Sequence, residues 1–285
     1  MKNISVRTPA KINLTLDIIR KREDGYHDLS MVMQTVDLCD KIHIDEAGGE
    51  ITVECSDPRI PCDGSNLAYK AADMVRGHFK IQQGVRIRID KRIPLEAGLA
   101  GGSANAAGVL KALDELWDLK MDRDLMLGMG RAIGADVPYC ILGGTKLAEG
   151  IGDVLTDLGN LPEYYVLLVK PDFSISTGWA YSNIIVDEIK NHPNNEAMCL
   201  AIRTGDLDGI EKNLGNVFEA PAFEAFPELS KIKSEILNRG AKASLMSGSG
   251  PTVYGLYRDK GDAERALRHF RSIYKEVHLA KTCQK

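Results

Sequence analysis

Small residues crowd the stretch GLAGGSANA, residues 98–106, directly ahead of a segment with the apolar spacing of a helix. The start of a helix leaves backbone N–H groups unpaired and carries the positive end of the helix dipole. Because glycine lacks a Cβ, an anion can approach these N–H groups closely. The stretch therefore predicts a phosphate-binding loop, and the alternative is a tight turn needed only for packing.

Two familiar phosphate-binding patterns do not fit this loop. It lacks the GK[ST] that follows the glycines of a P-loop. No GxGxxG follows the first predicted strand, and residue 253 is Val where SGSGPTV would need Gly. The loop, if it binds phosphate, must belong to another class of nucleotide site.

The first predicted strand carries polar side chains that could face a ligand. Apolar residues at positions 12, 14, 16 and 18 alternate with polar ones, as in a half-buried strand. Lys11 and Asn13 therefore lie on the same face, away from the core. By residue type alone they read as solvated surface side chains. Asp136, close to Gly134 and Pro138, likewise reads as a turn-capping residue.

Composition and spacing exclude several classes of function. The 285 residues carry a formal net charge of -4, which argues against nucleic acid as a main partner. The six cysteines include no CxxC pair and the six histidines no HxxxH, so no transition-metal site is expected. No apolar run approaches the roughly 20 residues that span a bilayer. We expect a cytoplasmic protein with reduced thiols and no membrane partner.

The elements of the N-terminal half alternate between strands and helices. Strands are predicted at residues 31–36, KIHID (41–45), EITVEC (50–55) and GVRIRIDKRI, where Val85, Ile87 and Ile89 share a face. A helix follows Ser65 or Asn66, and Ser103 or Asn105 caps the helix behind the glycine loop. Another helix runs from its cap at Asp122 to Gly134, and GADVPYCILGG is a turn that leads into a strand.

A second series of strands and helices is predicted to begin near GNLPEYY, residues 159–165. A strand at 164–170 precedes several helices, of which PELSKIKSEILNRG is the clearest, with Gly240 as its stop. Two short strands flank SGSG (247–250), and a helix at about 262–274 leads to a final strand at 277–281. The fold class is α+β, with a second layer in which helices cover one side of a sheet.

Three motifs in order carry a resemblance to a known family. PLEAGLAGGSANAA (94–107) resembles the phosphate-loop motif of the GHMP kinase superfamily, and PAKINLTL (9–16) and MSGSGPTVYG (246–255) resemble its other two motifs. DGYHDL (24–29), SNLAYKAA (65–72) and GADVPYC (134–140) are similar to the members that act on a cytidyl-diphosphate methylerythritol. The resemblance covers essentially the whole chain.

The resemblance implies a two-domain GHMP kinase fold. Residues 1–158 would form an N-terminal domain similar to ribosomal protein S5 domain 2, with the ATP loop. Residues 159–285 would form a C-terminal ferredoxin-like α/β domain. It also implies that Lys11 and Asp136 are the catalytic residues. The ammonium of Lys11 would stabilise the transferred phosphoryl group, and Asp136 would take the proton of the substrate hydroxyl or orient it.

The resemblance also implies a nucleotide site that holds ATP with Mg²⁺. Ser103 is the candidate magnesium ligand, since this ion prefers hard oxygen ligands and keeps water. Ala100 and Ala104 stand where Gly and Ser are common, and Asn105 where Asp is frequent, but the backbone N–H donors remain. The candidate ATP-binding residues are Asn66, Leu67, Pro94, Leu95, Glu96, Ala97, Gly98, Leu99, Ala100, Gly101, Gly102, Ser103 and Ala104.

For the substrate, the resemblance places a flat aromatic ring on cytosine and polar groups at its edge. The alternative for the Tyr26–His27 segment is a packed aromatic turn, and for SGSG a hairpin turn with left-handed glycines. The candidate substrate-binding residues are Asn13, Tyr26, His27, Tyr181, Ser247, Gly248, Ser249 and Gly250.

The expected function is transfer of phosphate from Mg-ATP to the 2-hydroxyl of 4-diphosphocytidyl-2-C-methyl-D-erythritol in the non-mevalonate isoprenoid route. Another superfamily kinase, for homoserine or mevalonate, is the alternative within this class. A non-catalytic nucleotide- or RNA-binding module is the alternative from another class, and the net charge argues against it. The chain is expected to be a monomer or a homodimer.

Overall fold

The computed structural model describes residues 2–283 and contains eleven strands. The strands are β1 (Asn3–Lys21), β2 (His27–Ala47), β3 (Ile51–Cys55), β4 (Gly84–Asp90), β5 (Thr145–Gly150), β6 (Val154–Asp157), β7 (Tyr165–Lys170), β8 (Gly215–Asn216), β9 (Ala243–Met246), β10 (Val253–Tyr257) and β11 (Glu276–Lys281).

Ten α-helices accompany these strands within residues 2–283, with one 3-10 helix at Val186–Glu188. The α-helices are α1 (Leu67–Phe79), α2 (Gly101–Trp117), α3 (Arg123–Ile133), α4 (Val137–Leu142), α5 (Thr177–Ser182), α6 (Asn195–Thr204), α7 (Leu207–Lys212), α8 (Glu219–Ala225), α9 (Pro227–Asn238) and α10 (Lys260–Arg271). This mixture of helices and strands confirms the predicted α+β class.

The chain forms two compact units, and it enters each of them more than once. The first unit contains the residues up to Ala10, Cys39–Ile93 and Ala100–Leu142. The second unit contains Lys11–Leu38, Pro94–Leu99 and the chain from Gly143 onward. The long strands β1 and β2 therefore each contribute residues to both units.

The first unit is built on a small sheet covered by helices. Residues 41–47 of β2 pair antiparallel with β4, and β3 pairs parallel with β4. The predicted apolar face of β4 is confirmed, because Val85, Ile87 and Ile89 are buried in one cluster with α1 and α2. Each Ile or Leu buried in such a cluster stabilises the fold by about 1.5–3 kcal/mol. Small residues on α1, such as Ala68 and Ala72, let α1 and α2 pack closely.

The second unit contains an antiparallel sheet in the order β11–β7–β10–β9. Helices α9 and α10 pack on this sheet, as the sequence predicted for the C-terminal layer. Elsewhere in the unit, β5 pairs antiparallel with residues 29–34 of β2 and with β6, and β8 pairs parallel with β1 at Thr15 and Leu16.

The expected exposed face of β1 is buried, which corrects the half-buried assignment. Residues 10–18 are all buried, including Lys11, Asn13, Thr15 and Asp17. Apolar and polar residues do alternate along β1, but both faces of the strand are buried. One face lies in an apolar interior and the other in a polar interior. The polar side chains have partners: the Thr15 hydroxyl accepts from Val32 N at 2.8 Å, and Asp17 pairs with His192 at 2.8 Å.

Two further local predictions need correction. KIHID lies in a strand, as predicted, but this strand is the same one as residues 31–36, because β2 runs without a break from His27 to Ala47. GADVPYCILGG does not pass directly from a turn into a strand, because residues 137–142 form α4. Pro138 lies in the first turn of α4, where a missing N–H costs no hydrogen bond, so proline did not preclude a helix there.

Candidate active site

Three of the sequence motifs meet at one hydroxyl in the second unit. Ser247 is fully buried, and its Oγ accepts from Asn13 N at 3.3 Å. The same Oγ donates to the carbonyl oxygen of Gly98 at 2.9 Å. Through these bonds Ser247 joins β1, the first part of the glycine loop, and the SGSG turn (residues 247–250).

Glycine is required where the first part of the loop meets the SGSG turn. A Cβ at Gly98 would lie 2.0 Å from the carbonyl oxygen of Ser247, a distance that no side chain tolerates. Gly98 also has a φ of +71°, and Gly248 and Gly250 have φ values of +57° and +87°. The glycines therefore serve close backbone approach and left-handed turns at the same point.

Lys11 is held in place inside the second unit. Its side chain is buried, and its Nζ donates to Asn13 Oδ1 at 2.8 Å. The backbone of this strand is tied by Lys11 N to Leu99 O at 3.2 Å and by the Tyr254 hydroxyl to Asn13 O at 2.8 Å. A positioned ammonium of this kind can stabilise negative charge that develops during phosphoryl transfer.

His27 and Tyr181, both predicted at the substrate base, lie together. Their rings stack with centroids 4.9 Å apart and an interplanar angle of 27°, and Phe218 contacts Tyr181 edge-on at 5.0 Å. Burial, with the charge of Lys21 as a second cause, lowers the pKa of His27. A neutral imidazole can both stack on a base and read its polar edge. Tyr26, by contrast, is 63 % exposed.

The helix mouth, residues 100–105 at the start of α2, lies in the first unit. Neither Ser103 nor Asn105 caps this helix, which corrects the prediction. The N-cap is Ala100 in a left-handed conformation at φ +55°, and it makes no side-chain capping bond. A cap without a side-chain acceptor leaves the first N–H groups of α2 to other acceptors, which is the condition for phosphate binding.

The helix mouth borders the segment predicted to lie at adenine. Asn66 caps α1 by accepting from Ala68 N at 2.8 Å, as predicted, and Leu67 is the first residue of that helix. A Cβ at Gly102 would lie 3.6 Å from Leu67 Cδ1. Gly102 is exposed, Ser103 half-buried and Ala104 buried.

The remaining loop residues, 94–99, precede the helix mouth in the sequence and belong to the second unit. Pro94, Ala97 and Leu99 are buried, Leu95 is half-buried, and Glu96 is exposed with a φ of +47°. Within the SGSG turn, Ser249 is half-buried, and its hydroxyl lies 3.4 Å from that of Thr177.

Sequence reasoning missed a buried charged network beneath the helix mouth. Asp40 is fully buried and accepts from the Lys91 ammonium, from Arg92 N at 2.7 Å, from Ile93 N at 2.9 Å and from Asn105 Nδ2 at 2.9 Å. The same Asn105 Nδ2 lies 3.0 Å from the Thr8 hydroxyl. The sequence feature that could have indicated this network is Asn105. The Asn105 amide both donates to and accepts from the network, whereas the carboxylate of an aspartate could not donate.

Asp136 occupies the turn immediately before α4, in the first unit. It is half-buried, and its carbonyl oxygen accepts from Cys140 N at 3.0 Å. An aspartate at this position is favoured by the free N–H groups of a helix start, whatever its chemical role. The backbone bond places Asp136 at the start of α4, and the turn-capping and the catalytic interpretations both stay predictions.

No three His, Cys, Asp or Glu side chains within residues 2–283 are grouped so that they could hold a metal ion. Over the same residues, the structure contains no helix both long and apolar enough to cross a membrane.

Comparisons with known proteins identify the family. Residues 66–144 match the GHMP kinases N terminal domain, and residues 198–276 match the GHMP kinases C terminal domain, which confirms the two-domain GHMP kinase fold. The chain is 42% identical over 282 residues to 4-diphosphocytidyl-2-C-methyl-D-erythritol kinase of Acetivibrio thermocellus, covering 99% of this chain and 100% of that protein.

Solved structures agree with this assignment. A crystal structure of 4-(cytidine 5'-diphospho)-2C-methyl-D-erythritol kinase matches with a TM-score of 0.85 and 32% identity, over 99% of this chain and 100% of that one. Homoserine kinase from Cytophaga hutchinsonii matches with a TM-score of 0.78, over 100% of this chain and 96% of that one, but at 19% identity it shows only a shared fold. The chain therefore belongs to the GHMP kinases, and within them to the 4-diphosphocytidyl-2-C-methyl-D-erythritol kinase family.

Proposed function

We propose that this enzyme transfers the γ-phosphoryl group of ATP to the 2-hydroxyl of 4-diphosphocytidyl-2-C-methyl-D-erythritol, in the non-mevalonate route to isoprenoid precursors. The observation that carries the proposal is the full-length similarity to the curated kinases of that name. The junction of three superfamily motifs at Ser247 supports it from the structure.

The reaction needs a proton acceptor and a fixed positive charge. The hydroxyl oxygen forms a bond to the γ-phosphorus, the bond from that phosphorus to the β–γ bridging oxygen breaks, and ADP leaves. Asp136 takes the hydroxyl proton or orients the hydroxyl for attack, and the buried Lys11 ammonium stabilises the transferred group. Asn13 accepts a hydrogen bond from the Lys11 ammonium. Its proposed role is to contact the substrate hydroxyl or the phosphate.

ATP is held by the loop of residues 94–104, with Asn66 and Leu67 on the adenine side. The first N–H groups of α2 supply the phosphate contacts, since no side chain caps that helix. Mg²⁺ would be bound together with ATP and would offset the negative charge of its phosphates, since this ion prefers oxygen ligands and keeps several waters. The half-buried Ser103 hydroxyl is the protein ligand proposed for it.

The second unit binds the substrate at two places. One holds the cytosine base, and the other holds the diphosphate and the polyol. His27 and Tyr181 form the aromatic platform for cytosine, and the largely exposed Tyr26 is proposed to contact the same base. Residues Ser247 to Gly250 line the diphosphate and polyol.

Replacing Asp136 by Ala should remove the proton acceptor. We expect turnover to fall at least about 100-fold, which adds roughly 2.7 kcal/mol to the barrier. The measurement is coupled ADP release with the cytidyl substrate, with Asp124→Ala on the exposed start of α3 as the matched control. A folded Asp136→Ala enzyme with parental turnover would refute the catalytic role.

Replacing His27 by Ala should weaken binding of the cytidyl substrate alone. We expect its KM to rise about tenfold and the KM for ATP to stay constant, because one stacking and edge contact is lost. Since the pKa of His27 is lowered, the parental substrate KM should stay flat as pH falls to about 6.5 and rise only below it. Equal changes in both KM values would argue against a cytosine role.

A substrate panel separates this function from its alternatives. Homoserine, mevalonate and the cytidyl substrate are offered with Mg-ATP, and the position of the new phosphate is located by NMR. ADP release with homoserine or mevalonate only would refute the proposal, as would RNA retention at moderate salt without kinase activity. A division of the sequence into N- and C-terminal family domains, 1–158 and 159–285, which does not coincide with the two interleaved compact units, is a further part of the proposal. So are a cytoplasmic location and a monomeric or homodimeric state.

A further inference from the structure

A buried asparagine in the second unit holds the SGSG turn from the inside. Asn216 lies in the two-residue strand β8, next to Leu16 of β1, and is 8% exposed. Its Nδ2 donates to Met246 O at 2.7 Å and to Gly248 O at 2.8 Å. Its Oδ1 accepts from Phe218 N at 3.0 Å, so the amide orientation is fixed by all three bonds.

These bonds set the direction of two peptide groups. In a trans peptide the C=O and the following N–H point in opposite directions. Met246 O faces Asn216, and Ser247 N accordingly donates on the other side, to Thr252 O at 2.9 Å. By the same rule, Gly248 O faces Asn216, so the N–H of Ser249 points away from it.

Ser249 belongs to the turn that the proposed function assigns to the substrate. We infer that Asn216 is a positioning residue, which orients the Gly248–Ser249 peptide so that the Ser249 N–H donates to an acceptor oxygen of the substrate. The inference rests on the proposed function. A side chain at position 216 that cannot donate would let this peptide rotate, and Gly248 permits that rotation because it tolerates left- and right-handed backbone.

Asn216→Asp tests this assignment with almost no change of shape. The new carboxylate cannot donate and would face two carbonyl oxygens. We expect the KM for the cytidyl substrate to rise at least about tenfold, with the KM for ATP and the turnover within about threefold of the parent. The matched control is Asn213→Asp, because Asn213 Nδ2 also donates to one backbone carbonyl, Gly209 O at 2.7 Å. An unchanged substrate KM in folded Asn216→Asp would overturn the inference, and so would equal rises for both substrates.

A second measurement uses the unaltered protein. On titration with the cytidyl substrate, the backbone amide resonance of Ser249 should shift strongly, while that of Ser247, already bonded to Thr252, should shift little. A Ser249 resonance that does not respond would overturn the inference even if the variant fails to fold. A parent enzyme that releases no ADP with this substrate would refute the proposed function instead, and the titration, which needs no turnover, would still decide the role of Ser249.

Discussion

The helix mouth and the SGSG turn are both glycine-rich, but they are held by different chemistry. Beneath the helix mouth lies the buried Asp40 carboxylate, paired with the Lys91 ammonium. The SGSG turn is bonded by neutral groups, the Ser247 hydroxyl and the Asn216 carboxamide. Glycine content alone therefore does not show how a loop is supported. Loss of one partner in a buried ion pair leaves a charge without compensation, whereas loss of a neutral bond has a smaller cost.

The largest effect should come from the charged network. Replacing Asp40 by Asn leaves the Lys91 ammonium, whose side chain is only 5% exposed, facing a neutral amide. We expect the free energy of unfolding to fall by about 3–5 kcal/mol, measured by urea titration. Asp118→Asn is the matched control, since Asp118 and Lys120 form an exposed pair at 3.8 Å, and it should cost less than about 1 kcal/mol. Similar costs for both variants would break the contrast between the loops.

A smaller effect is expected at the neutral loop. Ser247→Ala leaves Asn13 N and Gly98 O without this partner in a buried place, which should cost about 2 kcal/mol in urea unfolding. Ser244→Ala is the comparison, because the Ser244 hydroxyl makes a single bond, to Tyr254 O at 2.8 Å. A cost at Ser247 as large as that at Asp40 would show that the two loops do not differ in the proposed way.

The smallest effect should be a change in pH dependence at Glu219, whose carboxylate accepts from Met246 N, next to the SGSG turn, at 2.9 Å. Burial raises its pKa, against the opposing effect of Lys233. The folded chain therefore holds this proton more tightly than the unfolded chain. The resulting stability is present below the unfolded pKa of about 4.3 and is lost as pH rises through the folded pKa.

Glu219→Gln should remove that decline, so the change in its unfolding free energy from about pH 4 to pH 7 should be more positive than that of the parent. Glu224→Gln, on the exposed side of the same helix α8, should leave the parental slope unchanged. A variant at Glu219 with the parental slope would show that burial of this carboxyl has no thermodynamic consequence.

Local signals predicted the helices and strands that depend on nearby residues. The caps Asn66 and Asp122 and the stop at Gly134 are confirmed, because each of them bonds to a residue no more than four positions away. The two predicted strands on either side of SGSG are also confirmed, because the glycine turn between them is a signal in the local sequence.

Features that depend on contacts between residues far apart in the chain could not be predicted from the sequence. The polar face of β1 alternates like a surface strand, and nothing near Lys11 or Asn13 indicates that Ser247 and Tyr254 cover it. The cap of α2 was misjudged because Asn105 is occupied by Asp40, which lies 65 residues away. The family resemblance supplied the candidate site residues, but it did not indicate the buried supports at Asp40 or Asn216.

The interleaved path of the chain limits how this enzyme can be cut. Each compact unit is assembled from several separate stretches of sequence, and β1 and β2 run through both. A truncated gene or a chimaera with a single crossover would leave the second unit unfinished, because that unit needs residues 11–38 and 94–99 as well as the chain from Gly143 onward. Swapping substrate preference between related kinases would therefore require the exchange of several matched segments at once, including residues 11–38 and 94–99, rather than one half of the chain.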